Sequence, residues 1–395
     1  MKIVFVSNYI NHHQIPFCNA MHAKLGDDFT FIQMEPMEEE RIKMGWNPDC
    51  QPSYVRYGYQ DAACCQQLVT GADVVIWGGA EDENFLKPRL KKGKPVLRYS
   101  ERLYRTGQWK AVSPRGLKKK YLDHTRYNHG PVGLLCAGAY VPSDFHIIRA
   151  YPDRKYKWGY FPETKTYDAV KLMREKCAAQ ILWVARLIPL KHPELPVETA
   201  KYLRDKGYAF HLHMIGGGVC ESMVRELIEK YDLQEYVTLC GIKKPEEVRA
   251  YMEKADIFLM TSDRNEGWGA VINEAMNSGC AVVANHMIGS VPFLLQHGKN
   301  GLIYKDGEDQ QLFERTEKLV VDRAYCHMLG RHAYETIAGE WNAEIAAQRL
   351  CELCDRVFFG GDGEMPESGP CSAAPVIEER KMYRYLMKQA ENTAE

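Results

Sequence analysis

The sequence has no long hydrophobic run, no close cysteine grouping with a second ligand pair at zinc-binding spacing, and almost no net charge. The apolar start Met1–Val6 is far too short for a signal peptide or a membrane span, and no later stretch reaches spanning length. The 13 cysteines are scattered, and their only close groupings are Cys64-Cys65 and Cys351-x-x-Cys354. We therefore expect free, buried thiols in a reducing compartment and a cytoplasmic protein, soluble or peripheral to a membrane.

The charge balance and the length limit the possible classes further. The 51 basic and 52 acidic residues give a net charge of −1, so the chain as a whole has no preference for polyanions. A chain of 395 residues is long enough for two domains, each with its own core.

Short apolar runs alternate with helical patterns along most of the chain, which is typical of parallel sheets. In the first half these runs predict five strands: Ile3–Val6, Phe29–Gln33, Val74–Trp77, Pro95–Arg98 and Gly133–Cys136. In the second half they predict five more: Ile181–Ala185, Phe210–Ile215, Val237–Leu239, Ile257–Met260 and Ala281–Ala284. The predicted fold is α/β, with two Rossmann-like, doubly wound domains that face a central cleft.

We place the two domains at residues 1–165 and 166–345, with a looser crossing near Asp153–Thr166. A long helix is predicted over Trp341–Phe358, and its part 346–360 is expected to return toward the first domain. Residues 360–373 are rich in Gly, Pro and Ser and predict a linker, and a last helix is predicted from about Ala374 to Gln389.

Glu266 and Glu274 are the most informative residues of the second domain. Glu266 belongs to a glycine-containing loop, Gly267-Trp268-Gly269, that follows a buried strand, and Glu274 belongs to the first turns of the next helix. Glycine lets backbone N–H groups approach an anion, and the helix N-terminus adds partial positive charge. A carboxylate on each side of such a site suits a ligand with phosphates in the middle and hydroxyls at both ends, as in a nucleotide sugar.

Three further groups follow the other strands of this domain. Arg186 and Lys191 stand five residues apart after the first strand, where they can clamp a diphosphate, although a solvated loop is the favoured interpretation of this pair taken alone. Gly216-Gly217-Gly218 follows the next strand, and Gly241-Ile242-Lys243 follows the third, where it can border a nucleobase or simply form a turn.

Taken together and in this order, the four groups make residues 178–345 resemble the nucleotide-sugar-binding domain of glycosyltransferase family 4, which has the GT-B fold. The resemblance implies that Arg186 and Lys191 bind the donor diphosphate, Glu266 the hydroxyls of the transferred sugar and Glu274 the ribose. It also implies that the backbone from Gly267 to Ala270 contacts sugar and phosphate. The remaining positions of the predicted donor site are Gly216, Gly217, Gly241, Ile242 and Lys243.

The resemblance further implies transfer with retention of anomeric configuration and without a metal ion or other cofactor, since arginine, lysine and a helix N-terminus offset the charge of the leaving group. The absence of an Asp-x-Asp sequence in a metal-site context agrees with this expectation. The chain departs from the common pattern at Trp268, where phenylalanine is usual, at Ala185, where glycine is frequent, and at Asn265. We expect Trp268 to reshape the sugar pocket.

The first domain offers fewer candidates for binding an acceptor. His12 and His13 follow its first strand and could position an acceptor hydroxyl or a donor phosphate, or they could pack against the next helix. Gly78-Gly79 follows another strand, and Glu101 follows the strand Pro95–Arg98. Glu101 is a second cleft candidate, with an ion pair to Arg98 or Arg105 as the alternative.

One segment is strongly basic, because residues 87–120 contain 13 Lys or Arg and a single acid, Glu101. Such a segment usually forms a solvated face that meets an anion. The neighbouring aromatics Tyr99, Tyr104, Trp109 and Tyr121 raise the possibility of nucleic acid, but no recognition motif accompanies them. We expect an anionic membrane surface or a lipid diphosphate instead.

The sequence therefore predicts a retaining hexosyltransferase that uses a UDP- or GDP-sugar and a glycan or lipid-linked acceptor, in cell-surface polysaccharide or glycolipid synthesis. Two alternatives stay open: an isomerase of the same architecture, such as a nucleotide-sugar 2-epimerase, and a binding protein with a degenerate site.

Overall fold

A computed structural model describes residues 1–39, 51–80, 82–108, 111, 113–168, 172–173 and 179–392. The chain forms two compact units. The first contains residues 1–163 and 340–379, and the second contains residues 164–339 and 380–395. Residues 340–379, which include all of the predicted return helix, thus belong to the first unit, and the last helix belongs to the second from Arg380 onward.

The first unit is built on a sheet of seven parallel strands in the order β3-β2-β1-β4-β5-β6-β7. The strands are β1 (Ile3–Ser7), β2 (Phe29–Gln33), β3 (Val55–Tyr57), β4 (Val74–Gly78), β5 (Val96–Ser100), β6 (Val132–Ala137) and β7 (Lys155–Trp158). The helices are α1 (Ile15–Leu25), α2 (Ala62–Gly71), α3 (Glu83–Lys91), α4 (Pro114–Asp123), α5 (Val141–Ile147) and, later in the chain, α13 (Ala343–Cys354). The central strands β1, β4 and β6 are buried along their whole length, which explains their continuous apolar runs.

The second unit has six parallel strands in the order β10-β9-β8-β11-β12-β13. They are β8 (Gln180–Val184), β9 (His211–Ile215), β10 (Val237–Gly241), β11 (Ile257–Met260), β12 (Ala281–Asn285) and β13 (Leu302–Tyr304). The helices are α6 (Glu194–Asp205), α7 (Glu221–Lys230), α8 (Pro245–Lys254), α9 (Val271–Asn277), α10 (Val291–Leu294), α11 (Asp309–Val321), α12 (Arg323–Gly339) and α14 (Glu379–Asn392). Every helix in the described part of the chain is too short or too polar to cross a lipid bilayer.

The prediction of two doubly wound parallel sheets is confirmed, and each predicted strand is present within two residues at either end. The prediction missed β3, β7 and β13. The first and third have only three residues each, and β7 lies at the start of the stretch expected to cross between domains.

The glycine- and proline-rich segment 360–373 is more than a linker. Its last residues pair in antiparallel fashion with β7: Lys157 N–H donates to the Ser372 carbonyl over 2.8 Å, and Ala374 N–H donates to the Lys155 carbonyl over 2.9 Å. This pairing covers the edge of the first sheet, which would otherwise expose unpaired backbone groups. The last helix consequently begins at Glu379, five residues later than predicted.

Strand order decides which loops become neighbours. In each sheet the order reverses between the first strand and its neighbour, at β1/β4 in the first unit and at β8/β11 in the second. Ligands of such sheets bind outside the carboxyl ends of the strands at this point of reversal. The β8/β11 pair carries Arg186 and Lys191 on one loop and Glu266 on the other. The β1/β4 pair carries the two histidines and Gly78-Gly79.

Candidate functional site

The loops after β8 and β11 are joined by backbone and side-chain hydrogen bonds. Asp263 N–H donates to the Leu190 carbonyl over 3.0 Å, and the Thr261 hydroxyl donates to the Lys191 carbonyl over 2.6 Å. The buried indole of Trp183, in β8, donates to the Thr261 hydroxyl over 2.9 Å. These bonds fix the backbone of Lys191 relative to Thr261, the residue that directly follows β11 and stands five positions before Glu266.

The side chains of Lys191 and Glu266 form an ion pair in which the ammonium donates to Oε2. Each side chain retains only 15% of its exposure, so the pair is shielded from water far more than a surface ion pair. The two residues that the sequence assigned to diphosphate and sugar are thus brought together, and their charges neutralise each other.

Arg186 has a different environment from Lys191. Its side chain is exposed and forms no ion pair with any residue that the structure describes. It therefore provides an available fork of N–H donors at the end of β8, next to the loop that carries Lys191.

Glycines allow the loop after β9 to lie directly on the loop after β8. Gly216 has a φ of 142°, and a Cβ atom there would lie 1.8 Å from the Ala185 carbonyl oxygen. At Gly218, with a φ of 154°, a Cβ atom would lie 2.4 Å from the Leu187 carbonyl oxygen. The intervening residue contributes a bond from Leu187 N–H to the Gly217 carbonyl over 2.9 Å. The glycines of this turn are therefore required for close packing of the two loops, and they do more than let the chain change direction.

The turn after β10 lies beside this glycine turn. Gly216 N–H donates to the Gly241 carbonyl over 2.9 Å, and a Cβ atom at Gly217 would lie 3.1 Å from the Ile242 side chain. Ile242 keeps 76% of its surface exposed, and the Lys243 ammonium lies 3.8 Å from Glu247. An exposed apolar side chain at this edge of the sheet offers a flat ligand a surface to cover.

Trp268 is buried inside the second unit. Its side chain is 1% exposed, and its indole donates to Asn273 Oδ1 over 2.9 Å. A buried indole held in this way does not line a sugar pocket, so only the backbone of the Gly267–Ala270 loop can meet a ligand. Glu274 is half-buried on α9, the seven-residue helix that follows this loop.

Four residues of the site escaped the sequence analysis: Trp183, His192, Thr261 and Asp263. A sequence signal existed for two of them, because Thr261 and Asp263 directly follow a buried strand, as Glu266 does. His192 sits beside Lys191, but only the structure shows that its ring lies between Glu194 and Asp263.

In the first unit, the rings of His12 and His13 lie against each other with centroids 3.7 Å apart and planes tilted by 46°, and His13 lies edge-on to Tyr160. Burial lowers the pKa of His12 to about 4. Burial and the neighbouring His12 lower the pKa of His13 well below its usual range. Both imidazoles are neutral at pH 7, so they can exchange hydrogen bonds with hydroxyls but bring no positive charge to a phosphate.

The loops after β1 and β4 lie against each other. Gly79 has a φ of 75°, and a Cβ atom there would lie 2.9 Å from Ser7 Oγ and 3.2 Å from Asn8 Oδ1. Gly78 packs equally closely on β5, because its Cβ atom would lie 2.6 Å from the Tyr99 carbonyl oxygen. Both predicted glycines therefore permit close approach of backbone at the carboxyl edge of the first sheet.

Glu101 forms the predicted alternative contact, an ion pair with Arg105, and also accepts a hydrogen bond from the Tyr160 hydroxyl over 2.9 Å. Arg98 pairs with Glu83 instead, over 2.6 Å. Through Tyr160, Glu101 is connected to the ring of His13, so these candidate residues of the first unit form one cluster.

The basic segment does not form one solvated face, and that expectation is wrong for three of its arginines. Arg89 is fully buried and donates to the carbonyls of the α2–β4 region and of Pro95. Arg98 and Arg102 are buried in ion pairs, Arg102 with Asp144 and Glu379. Among the described residues of this segment, the exposed cations are Lys91, Lys92 and Arg105 and, on α4, Arg115, Lys118 and Lys119. Residues 109, 110 and 112 of this segment, Trp109 among them, lie outside the described residues.

Comparison with solved structures gives the class of fold. The Anabaena protein HepE in complex with UDP matches with a TM-score of 0.65 and 16% identity, over 90% of this chain and all of that chain. The sucrose-phosphate synthase of Thermosynechococcus elongatus matches with a TM-score of 0.66 and 13% identity, over 91% of this chain and all of that one. The chain has the GT-B fold of these glycosyltransferases.

Comparison of sequences identifies a domain within that fold. Residues 168–336 match the model of the family described as Glycosyl transferases group 1. The amylovoran biosynthesis glycosyltransferase AmsK of Erwinia amylovora is 31% identical over 183 residues, which cover 45% of this chain and 45% of that protein. The chain thus spans about half the length of this relative, and the β8/β11 site lies within the residues 168–336 that match the family model. Homologues of this region are glycosyltransferases of polysaccharide biosynthesis.

Proposed function

We propose that the protein is a retaining hexosyltransferase of glycosyltransferase family 4. It transfers a sugar from a nucleotide sugar to a glycan or lipid-linked acceptor in the synthesis of cell-surface polysaccharide or glycolipid. The observation that carries this proposal is the Lys191–Glu266 ion pair where the order of the second sheet reverses, at β8/β11, with the exposed Arg186 at the end of β8. The match of residues 168–336 to a glycosyltransferase family supports it.

In the proposed reaction, Arg186 and Lys191 bind the diphosphate, and their charges stabilise it as it leaves. Binding the diphosphate draws Lys191 away from Glu266, whose carboxylate then accepts hydrogen bonds from the sugar hydroxyls. Glu274 binds the ribose, and the exposed side chain of Ile242 lies under the nucleobase. No metal ion takes part, because the two cations supply the charge that a metal would otherwise bring.

The acceptor hydroxyl attacks from the face that the diphosphate leaves, and a departing phosphate oxygen takes its proton. This front-face route retains the anomeric configuration and needs no enzymatic nucleophile. We assign the acceptor to the cluster of His12, His13, Tyr160 and Glu101 in the first unit. Its two neutral imidazoles suit the hydroxyl groups of a sugar better than a phosphate.

We also propose that the protein works at the cytoplasmic face of a membrane, to which α4 attaches it. This helix has no buried residue, and Arg115, Lys118 and Lys119 are exposed on it. Leu117, Tyr121 and Leu122 keep 41%, 56% and 40% of their surface exposed on the same helix. Exposed apolar side chains among lysines are the pattern of helices that lie in an anionic lipid surface.

A relative whose name indicates a lipid acceptor is the GDP-mannose-dependent phosphatidylinositol monomannoside mannosyltransferase of Mycobacterium tuberculosis. It is 26% identical over 188 residues that cover 46% of this chain and 47% of that protein.

The first test is calorimetric binding of UDP and GDP to the wild type and to Glu274→Ala, followed by a screen of sugars carried by the preferred nucleotide. We expect one nucleotide to bind and its affinity to fall in the variant. Transfer to an acceptor, with the product's anomeric configuration read by NMR and no effect of EDTA, would support the full proposal. Epimerised donor without an acceptor would indicate the isomerase instead, and no binding of either nucleotide would indicate a degenerate site.

A further inference from the structure

His192 adopts a backbone conformation that is unfavourable for a residue with a side chain. It has φ 47° and ψ 58°, in the left-handed region, between the short turn Pro189–Lys191 and helix α6. This conformation is strained for a residue other than glycine. An interaction of its side chain is therefore expected to offset the cost.

The imidazole of His192 lies between two carboxylates. Its Nδ1 is 2.8 Å from Glu194 Oε1, at the start of α6, and its Nε2 is 3.6 Å from Asp263 Oδ2, in the loop after β11. A ring with a carboxylate at each nitrogen is best satisfied when both nitrogens carry a proton, because only then can both donate. The hydrogen bond to Glu194 is the largest of the contacts that raise the pKa of His192, and Asp263 raises it further.

Asp263 is part of the backbone that presents Glu266. Its N–H donates to the Leu190 carbonyl over 3.0 Å, and its own carbonyl accepts from Glu266 N–H over 3.1 Å. The Asp263 carboxylate also accepts from Asn265 N–H over 2.8 Å, which shapes the same turn. A contact from His192 to this carboxylate thus connects the residue after Lys191 to the turn that holds Glu266.

We infer that His192, as an imidazolium, is a positioning residue that holds the Lys191 loop against the Glu266 loop, so that donor binding weakens when it loses its proton. The inference rests on the proposed function only in taking the β8/β11 site as the site of the nucleotide diphosphate. His192 itself touches neither the sugar nor the diphosphate in this assignment.

The charged groups around His192 favour its protonated form. Glu194 and Asp263 face its ring, the neighbouring Lys191 is neutralised by Glu266, and Glu198 and Asp309 lie beyond Glu194. The acidic groups that face the ring stabilise the imidazolium. Because the pKa of His192 is raised above its usual value of about 6.5, the bridge is complete below that value. It is lost as the pH rises through the raised pKa.

The test measures the affinity for UDP-glucose and GDP-mannose by calorimetry between pH 5.5 and pH 8.5. The variants are His192→Asn, whose asparagine tolerates the left-handed backbone, and Asp263→Asn, which keeps the imidazolium but removes its partner. The exposed His129→Asn in the first unit is the control. We expect the wild-type and control affinities to fall roughly fivefold across this range, and both site variants to bind more weakly at low pH with a flat profile.

Three outcomes would overturn the inference. The first is that the affinity of His192→Asn for the nucleotide sugars depends on pH in the same way as that of the wild type. The second is wild-type behaviour of Asp263→Asn together with loss of affinity in His192→Asn, because that combination means the histidine charge acts on the ligand directly. The third is an NMR titration of His192 that gives an ordinary pKa.

Failure of the proposed function would look different. In that case the wild type binds neither nucleotide sugar at any pH. The NMR titration then decides the inference by itself: a raised pKa of His192 that returns toward its ordinary value in Asp263→Asn supports the coupling of the two loops, and an ordinary wild-type value contradicts it. Thermal unfolding of each variant checks that the fold is retained.

Discussion

The Lys191 ammonium and the Glu266 carboxylate are in direct contact, although 75 residues separate them in the chain. The contact exists because β8 and β11 are neighbours in the sheet and their loops share two hydrogen bonds. An ion pair in this position keeps two shielded charges satisfied before a ligand arrives. Under the proposed function, a donor diphosphate would replace Glu266 as the partner of Lys191.

Replacing Glu266 by glutamine tests its role in the transfer step. Glutamine keeps the shape of the side chain but can no longer pair with Lys191 or accept hydroxyl bonds with a negative charge. We expect turnover to fall about 10²- to 10³-fold, because these bonds hold the reacting geometry. Initial rates at saturating donor would measure the effect, with the exposed Glu226→Gln on α7 as the control. Normal turnover in Glu266→Gln would remove this residue from the mechanism.

Arg186 is expected to contribute mainly to binding of the diphosphate. Its exposed guanidinium can form charge-assisted hydrogen bonds, each worth about 1.5–3 kcal/mol, so Arg186→Ala should weaken nucleotide affinity roughly 10- to 100-fold. Arg186→Lys should recover part of the loss, since lysine restores the charge without the fork. The matched control is Arg225→Ala, which removes an exposed arginine of α7. Equal affinities of Arg186→Ala and the control would exclude a role in binding.

The glycine turn after β9 predicts a large difference between two glycine-to-alanine changes. Gly216→Ala would place a methyl group 1.8 Å from the Ala185 carbonyl oxygen, so we expect a loss of about 3 kcal/mol or more in the free energy of unfolding. Gly207 also has a positive φ, of 78°, but no atom lies within 4 Å of its Cβ position, so Gly207→Ala should cost only about 1 kcal/mol. Urea denaturation would compare the two. Similar losses would show that the turn is not held by close packing.

Attachment through α4 predicts a charge-dependent affinity for lipid vesicles. Lys118→Glu combined with Lys119→Glu reverses two exposed charges, each worth about 1 kcal/mol at an anionic surface, so binding to vesicles rich in phosphatidylserine should fall at least tenfold. The control is Arg384→Glu with Lys388→Glu on α14, which changes the net charge equally at two other exposed positions. Co-sedimentation that is insensitive to lipid charge, to salt or to the α4 variant would contradict the proposal.

The buried pair of His12 and His13 predicts a loss of stability in acid. Because the pKa of His12 is lowered to about 4 in the folded protein, the unfolded chain binds a proton more readily below its ordinary value near 6.5. The free energy of unfolding should therefore decrease as the pH falls from about 6.5 to 4. His12→Asn should decrease less steeply than the wild type over this interval, as measured by urea denaturation at several pH values. Parallel profiles would show that His12 does not titrate with folding.

The sequence by itself determined the two α/β sheets, the order of their central strands along the chain and the residues at the strand ends. Apolar runs, glycines and helix patterns are local, and continuous apolar runs of this length are stable only when a sheet is covered on both faces. The four groups of the donor site could therefore be found before any strand was placed beside another.

Only the tertiary structure decided which of these residues meet. The neighbouring positions of β8 and β11 create the Lys191–Glu266 pair and place Asp263 against His192, and neither contact has a sequence signal. Burial likewise turned Trp268 inward and placed three arginines of the basic segment in the interior, where carbonyls and carboxylates compensate their charge. The sequence gives the number of charges in a segment. Which of those charges remain available to a ligand or a membrane depends on which ones are buried with partners in the folded chain.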